Sequence, residues 1–361
     1  TQQVSSAASD VYKRQIHQQN KSAVKVFCKT LYDFDEKAVQ SILREMLARD
    51  AICHLCHPFG DVAADQIYDK LFAPLHYALP DVERRDTICL SGTDQDGADW
   101  VGCAGHYVGR FMMPFLNIPP TGHIASVRYH EFYCFTDGQI TEMQVIWDLP
   151  CLMMQANVWP MGLSLGHEWH VPGPASQDGL TAKEVTEDQS AASRQHVINM
   201  ITAMQKYPTQ GGPEIMEMEK YWHPHFNWYG PSGIGSARGI EGFRNWHQTP
   251  FLDAMPDRGQ HPDDVSKHFF AEGAYVALTG WPNMAQTLSG QGWLGIAPTG
   301  QKITLRSLDF WRLENGFIRE NWVLVDLLDV WTQTGVDVMA RMQQLAAARP
   351  HFSAQNEREA R

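Results

Sequence analysis

The chain has 361 residues, 43% hydrophobic and 19% charged, a globular composition long enough for about two domains at roughly 150 residues each. Its net charge of −12, with no Lys/Arg cluster of five or more, argues against nucleic acid or an anionic membrane surface as partner. No apolar run approaches the ~20 residues of a membrane span, and seven Cys without a second spaced pair fit free thiols in a cytoplasmic protein.

In chain order, residues 1–19 lack the apolar core of a signal peptide, and Val4 to Gln15 reads as translated adaptor sequence. Residues 1–29 are therefore expected to be disordered or artefactual. A first domain is expected over 30–156. Glu36 to Arg49 carries Val39, Ile42, Leu43, Met46 and Leu47 at helical spacing, and Asp33 or Asp35 can cap it. Ile52 to His57 reads as a short strand, and Ala64 to Leu75 as a second helix. Strands are predicted at Thr87–Leu90, Trp100–Phe111, Ile124–Phe135 and Ile140–Trp147, with an Asp137-Gly138 hairpin turn between the last two. A short helix starts at Leu149.

Residues 157–190 read as a linker rich in Pro and Gly. Its Trp159 and Trp169 are expected to be at least half buried, since two exposed Trp in one loop would be an apolar liability. A second domain over 191–349 repeats the plan. Helices are predicted at Ser193–Gln205, Glu214–Tyr221 and Ile240–His247. Strands follow at Phe226–Tyr229, His268–Ala271, Ala274–Trp281, Ile303–Leu313 and Ile318–Val325, with a turn at Asn315-Gly316. Val336–Ala348 is a terminal helix, and 350–361 a loose polar tail.

The two halves are copies. At a constant offset of 178, residues 116–155 pair with 294–333 without a gap, and 14 of the 40 positions are identical. They include Arg128/Arg306, Phe132/Phe310 and Asp148/Asp326. A period near half the chain means two related domains and not a solenoid. Helix, short strand, helix, then three or four long strands is an α+β order, and a curved sheet wrapped on helices leaves a pocket on its concave face.

The motifs that carry a resemblance are Pro-Thr-Gly before a strand, Asp/Asn-Gly-x-Ile-x-Glu at the hairpin, and an Asp just beyond. With them go Trp228 to Gly235 (WYGPSGIG) and Arg238 to Arg244 (RGIEGFR). Together they resemble the SnoaL-like polyketide cyclases of the NTF2-like superfamily. Residues 220–335 match the whole pattern. Residues 50–156 match its second part, with Leu55-Cys-His-Pro58 in place of Trp-x-Gly-Pro and no Arg-Gly. The resemblance implies an α+β fold of two tandem NTF2-like cone-shaped domains, each a curved, mostly antiparallel sheet wrapped on helices. It implies acid/base closure or isomerisation of a small, largely apolar carbonyl or polyketide-like substrate, with no metal or organic cofactor. It also implies either a pseudo-dimer within the chain or a homodimer, with the second copy the active one.

The family's acid/base aspartate would correspond to Asp326, and to Asp148 in the first copy. Residues 318, 320, 322, 324 and 326 share one strand face. Ile318, Trp322 and Leu324 make it apolar, so desolvation would raise the Asp326 pKa. The alternative is an N-cap, since Asp148 is followed by Leu-Pro at a helix start. Substrate contacts are expected from His54, Cys56, Asn227 and Tyr229 on the short strands, from Trp281 and Trp322, and from one of each mid-strand pair, His130 or Glu131 and Leu308 or Asp309. Glu131 and Asp309 keep an acid in both copies, which favours that position. His223 and His225 lack a third ligand for a metal. Rival readings are a hydrolase or dehydratase using Asp and His on water, and a binding protein without catalysis.

Overall fold

The computed structural model describes residues 2–181 and 185–348, with side chains from residue 11 onward. The tail expected after residue 350 lies outside the described residues. In the first half, α1 (Gln2–Tyr32) and α2 (Glu36–Met46) lead into β1 (Leu47–Leu55) and β2 (Gly60–Ala63). Then come α3 (Ala73–Ala78), β3 (Glu83–Thr93), β4 (Asp99–Arg110), β5 (Ile124–Thr136), β6 (Gln139–Trp147) and α4 (Leu149–Gln155). The second half opens with α5 (Glu187–Met204), α6 (Met218–Tyr221), β7 (Trp222–Tyr229), β8 (Ala237–Arg238), α7 (Gly239–Phe243) and α8 (Thr249–Ala254). It continues with β9 (His268–Glu272), β10 (Tyr275–Thr279), β11 (Met284–Thr287), β12 (Lys302–Leu305), β13 (Ser307–Glu314) and β14 (Phe317–Val325), and ends with α9 (Leu327–Gln333) and α10 (Val338–Ala347).

Each half builds one six-stranded sheet, in the order β2-β1-β6-β5-β4-β3 and β8-β7-β14-β13-β10-β9. Position by position these are the same sheet. The β1–β6 and β7–β14 pairs are parallel and every other ladder is antiparallel. An α+β architecture of two tandem domains, each a mostly antiparallel sheet with helices, follows. The offset of 178 holds without adjustment from β6 to β14 and from α4 to α9. Both hairpin turns have positive φ at two consecutive residues, Asp137-Gly138 and Asn315-Gly316, which suits the twist of the flanking strands.

Three local expectations are corrected. The helix expected at Ala64–Leu75 is a 3-10 turn (Ala64–Gln66), a π-helical turn (Tyr68–Phe72) and α3. The second copy repeats the device with a π-helical turn at Arg244–Gln248 between α7 and α8. The third correction concerns residues 1–29. Residues 2–29 belong to α1, the counterpart of α5, which supplies the first domain with Val24, Phe27 and Cys28 from this segment and Leu31 just beyond it, all buried. These four stand at the 0, 3, 4, 7 spacing of a core-facing helix stripe, with Lys25, Val26, Lys29 and Thr30 between them. Phe27 meets Phe72 and Tyr133 edge-on at 5.8 and 6.2 Å.

The two sheets face each other around a pseudo-twofold axis. His130 Nδ1 donates to the carbonyl of Leu308, its own equivalent, at 2.6 Å. Phe132 and Phe310, also equivalents, lie 5.0 Å apart between ring centroids. A Cβ on Gly102 would come within 3.0 Å of Phe310, so the close approach of the sheets requires glycine there. The linker seals the seam. Gly166 and His167 pair with Ile234 and Ser236, and Cys89 N donates to Gly179 O. Trp322 Nε1 donates to Pro172 O at 2.9 Å. Trp159 is partly buried on Trp331, while Trp169 remains 49% exposed above Tyr229.

Phe27→Ala should destabilise the protein by about 3–5 kcal/mol, the usual loss for emptying a buried aromatic site. Urea unfolding of the full chain checks it, and an unchanged midpoint would mean that α1 does not contribute to the first core.

Candidate functional site

The second sheet and its helices enclose a cavity of about 410 Å³. Strand alternation decides its lining. From β13, Ser307, Asp309 and Trp311 point in, and from β14, Asn321, Val323 and Val325 do so. Met200 and Met204 of α5 close one side. The π-helical turn brings His247 and Gln248 to the wall, where the imidazole stacks on Trp228 at 4.0 Å. Beyond α8, Arg258 and Lys267 also line the cavity.

Asp309 is 8% exposed and accepts a hydrogen bond from Ser307 Oγ at 2.6 Å. Burial raises its pKa from 3.8 to about 7, against the opposing pull of Arg258. Burial drives His247 down to about 3, so its ring is neutral. Several buried polar atoms around this space have no hydrogen-bond partner among the described residues. They are His247 Nδ1, Gln248 Oε1, both amide atoms of Gln286 and the indole nitrogens of Trp222 and Trp311. Buried polar groups are rarely left unpaired, and here they gather around one cavity suited to a polar guest.

The same position in the first domain is closed. Glu131, the equivalent of Asp309, is fully buried and ion-paired to Arg84. It also accepts from Tyr107 OH, Tyr133 OH and Trp147 Nε1 at 3.0, 2.6 and 2.9 Å. Two exchanges at the offset of 178 account for the opening of the second cone. Tyr129 corresponds to Ser307, and Trp147 to Val325. Both large residues are fully buried in the first domain, and both small ones line the cavity in the second.

Asp326 and Asp148 stand elsewhere. Asp326 accepts from Asp329 N at 3.3 Å as the N-cap of α9, and from His57 N of the first domain at 2.9 Å. Arg306 Nη1 lies 3.3 Å from it. Asp148 caps α4 through Cys151 N at 3.2 Å and accepts from Ser232 N of the second domain at 3.1 Å. The shared face of β14 that was expected to meet the pocket, with Trp322 and Leu324, meets the linker and the seam instead. The odd-numbered face lines the cavity. Burial also raises Asp326 to about 7, so a shifted carboxyl does not by itself mark the site.

Of the expected contact residues, only Asp309 lies in the cavity. His130 bonds across the seam. His54 Nδ1 donates to Asp61 at 2.8 Å, and its ring stacks on Trp281, whose ring also carries Arg306 at 4.8 Å. Cys56 is buried, with its thiol accepting from Trp147 N. Asn227 and Tyr229 face a shallow surface groove with Trp169 and Trp246. Trp322 is held by the linker. His247, Arg258, Lys267 and Gln286 were not singled out from the sequence. The size exchanges at Ser307 and Val325 were the available signal for an open second cone.

Two sets of three ligand-type side chains converge, Cys28/Asp86/Cys103 and Asp94/Asp96/His268. Each is occupied by protein partners. Asp86 accepts from Arg84 Nε and Tyr129 OH, and Asp94 accepts from Trp100 Nε1 and His268 Nδ1. Neither set lines the cavity. No helix among the described residues is long and apolar enough to cross a membrane.

Asp326→Ala should destabilise the protein by about 1–3 kcal/mol, because a helix cap is lost and the His57 N–H is left without its acceptor. Asp326→Asn keeps the cap and should leave turnover within a few-fold of wild type. A hundredfold loss at unchanged stability would return proton transfer to the seam.

Residues 201–334 match the family model for SnoaL-like polyketide cyclase. No curated protein matches the chain. Among solved structures, a candidate SnoaL-like polyketide cyclase from Jannaschia sp. CCS1 is 22% identical, covering 38% of this chain and 92% of its own, with a TM-score of 0.32. IdmH, a candidate polyketide cyclase from Streptomyces antibioticus, is 19% identical over 38% of this chain and 99% of its own, with a TM-score of 0.32. An NTF2-like protein from Burkholderia thailandensis E264 is 18% identical over 38% and 96%, with a TM-score of 0.30. Over residues 201–334, most of its second domain, the chain is thus similar to the SnoaL-like polyketide cyclases.

Proposed function

We propose that the second domain is an acid/base enzyme of the polyketide cyclase type and that Asp309 moves the proton. The observation that carries this is a single buried carboxyl, raised to about 7, on the wall of a cavity ringed by unpartnered polar atoms. A group with that pKa is present in both protonation states near neutral pH, as a proton-transfer residue needs to be. The carboxylate would take a proton from carbon beside a carbonyl. The enolate carbon then attacks a second carbonyl of the same molecule, and the new alkoxide takes a proton back. The indole N–H of Trp311 and the Gln286 amide supply donors for oxygen that gains charge. The aromatic and Met walls suit a small, largely apolar carbonyl compound. The first domain acts as the partner that holds the sheet of the second.

Asp309→Asn should lower turnover by about 10²–10⁴-fold on a cyclisable substrate. In the wild type, kcat/KM should rise with pH through about 7 as the base form appears. Stability should move the opposite way. The folded pKa lies above the model value of 3.8. The folded state therefore binds more protons between about 4 and 7, and stability falls as pH rises through that window. Asp309→Asn should remove this fall and, at pH 8, unfold later than wild type, by up to about 4 kcal/mol. Full turnover in Asp309→Asn would transfer the chemistry to another residue. Val325→Trp, which refills the cone as in the first domain, should abolish turnover while leaving the seam intact.

A further inference from the structure

We propose that the open cavity takes an organic carboxylate, an aromatic or polyketide-like acid whose carboxylate group lies between Arg258 and Lys267. The proposal rests on reading the cavity as the substrate site and names the class of substrate. Both cations line the cavity, and among the described residues neither has an ion pair or a side-chain hydrogen bond. Arg258 instead lies 5.7 Å over the Phe251 ring. Three acids on the surrounding segment are committed to other groups, and Asp263 is exposed to solvent. Asp257 accepts from Thr287 N at 2.8 Å and lies 2.8 Å from His261 Nε2. Asp253 accepts from Tyr207 OH at 2.6 Å, and Asp264 from Lys302 at 2.8 Å.

Asp309 is the remaining carboxyl on the wall, and Ser307 already donates to it. Burial presses Arg258 down to about 10. Lys267 is lowered too, first by burial and then by the charge of Arg258. Two cations that disfavour each other thus share one partly dry cavity in a chain whose net charge is −12. Unpaired buried charge is unfavourable, and an anion between the two relieves both desolvation and repulsion. A carboxylate gives charge-assisted hydrogen bonds to the guanidinium and the ammonium. The Trp228, Phe251 and Trp293 rings then hold the apolar body of the same molecule.

A matched pair of probes tests this on the full chain. 2-Naphthoic acid and 2-naphthamide have nearly the same shape and differ in charge. Titration calorimetry at pH 6 should show the acid binding about 10-fold or more tightly than the amide. Arg258→Gln and Lys267→Gln should each reduce the preference and leave amide binding within about two-fold. Asp309→Asn should keep the preference, so loss of turnover and loss of acid selectivity report on separate residues. Equal affinity for the two probes in wild type, tighter binding of the amide, or no binding of either at millimolar concentration would overturn the proposal. So would an undiminished preference in both cation variants.

Discussion

The seam between the two sheets is the constraint on which the rest depends. Two aspartates, one from each domain, cap their own helix with one oxygen and accept a backbone N–H of the other domain with the second. His57 and Ser232, the two donors, occupy equivalent places, because β1 and β7 sit in the same register on β6 and β14. The bonds are therefore reciprocal about a pseudo-twofold axis, as in an isologous dimer interface. Arg128 adds bonds to the carbonyls of Gly230 and Val323 at 2.7 and 3.1 Å. Covalent linkage converts this association into an intramolecular one.

Duplication left the two cones free to diverge in what they hold. In the first, Arg84, Tyr107, Tyr133 and Trp147 saturate Glu131, so the buried charge is neutralised within the fold and the interior is filled. In the second, Ser and Val replace Tyr and Trp, and the acid keeps one protein donor. Burial then drives the carboxyl towards its neutral form. Removing volume beside an acid creates space for a guest and also removes the groups that held the charge. Cavity and shifted pKa thus have one cause.

The seam carboxyls show why burial and a raised pKa are insufficient to mark a site. Burial pushes both Asp326 and Asp309 up to about 7. Asp326 is matched by two backbone N–H groups and an Arg, the pattern of a structural cap. Asp309 looks into a cavity beside atoms that have no partner. Only the second arrangement leaves a raised carboxyl facing open space.

The sequence by itself determined the tandem α+β plan. The ungapped offset of 178, the Asp-Gly and Asn-Gly turns and the alternating strands are local or repeated signals, and strand existence follows from them. It also left Asp309 and Glu131 in view as paired acids, and the exchanges Tyr129/Ser307 and Trp147/Val325 stood in the same alignment. Alternation told which residues share a face of β14, and not which face is concave. Only the packing of β14 against the linker and the opposite sheet decided that Trp322, Leu324 and Asp326 turn to the seam, while Asn321, Val323 and Val325 turn to the cavity. The place of α1 was decided in the same way. Its Val24, Phe27, Cys28 and Leu31 stand at helical spacing in the sequence, but what that stripe packs on is settled only once the first sheet curves over it.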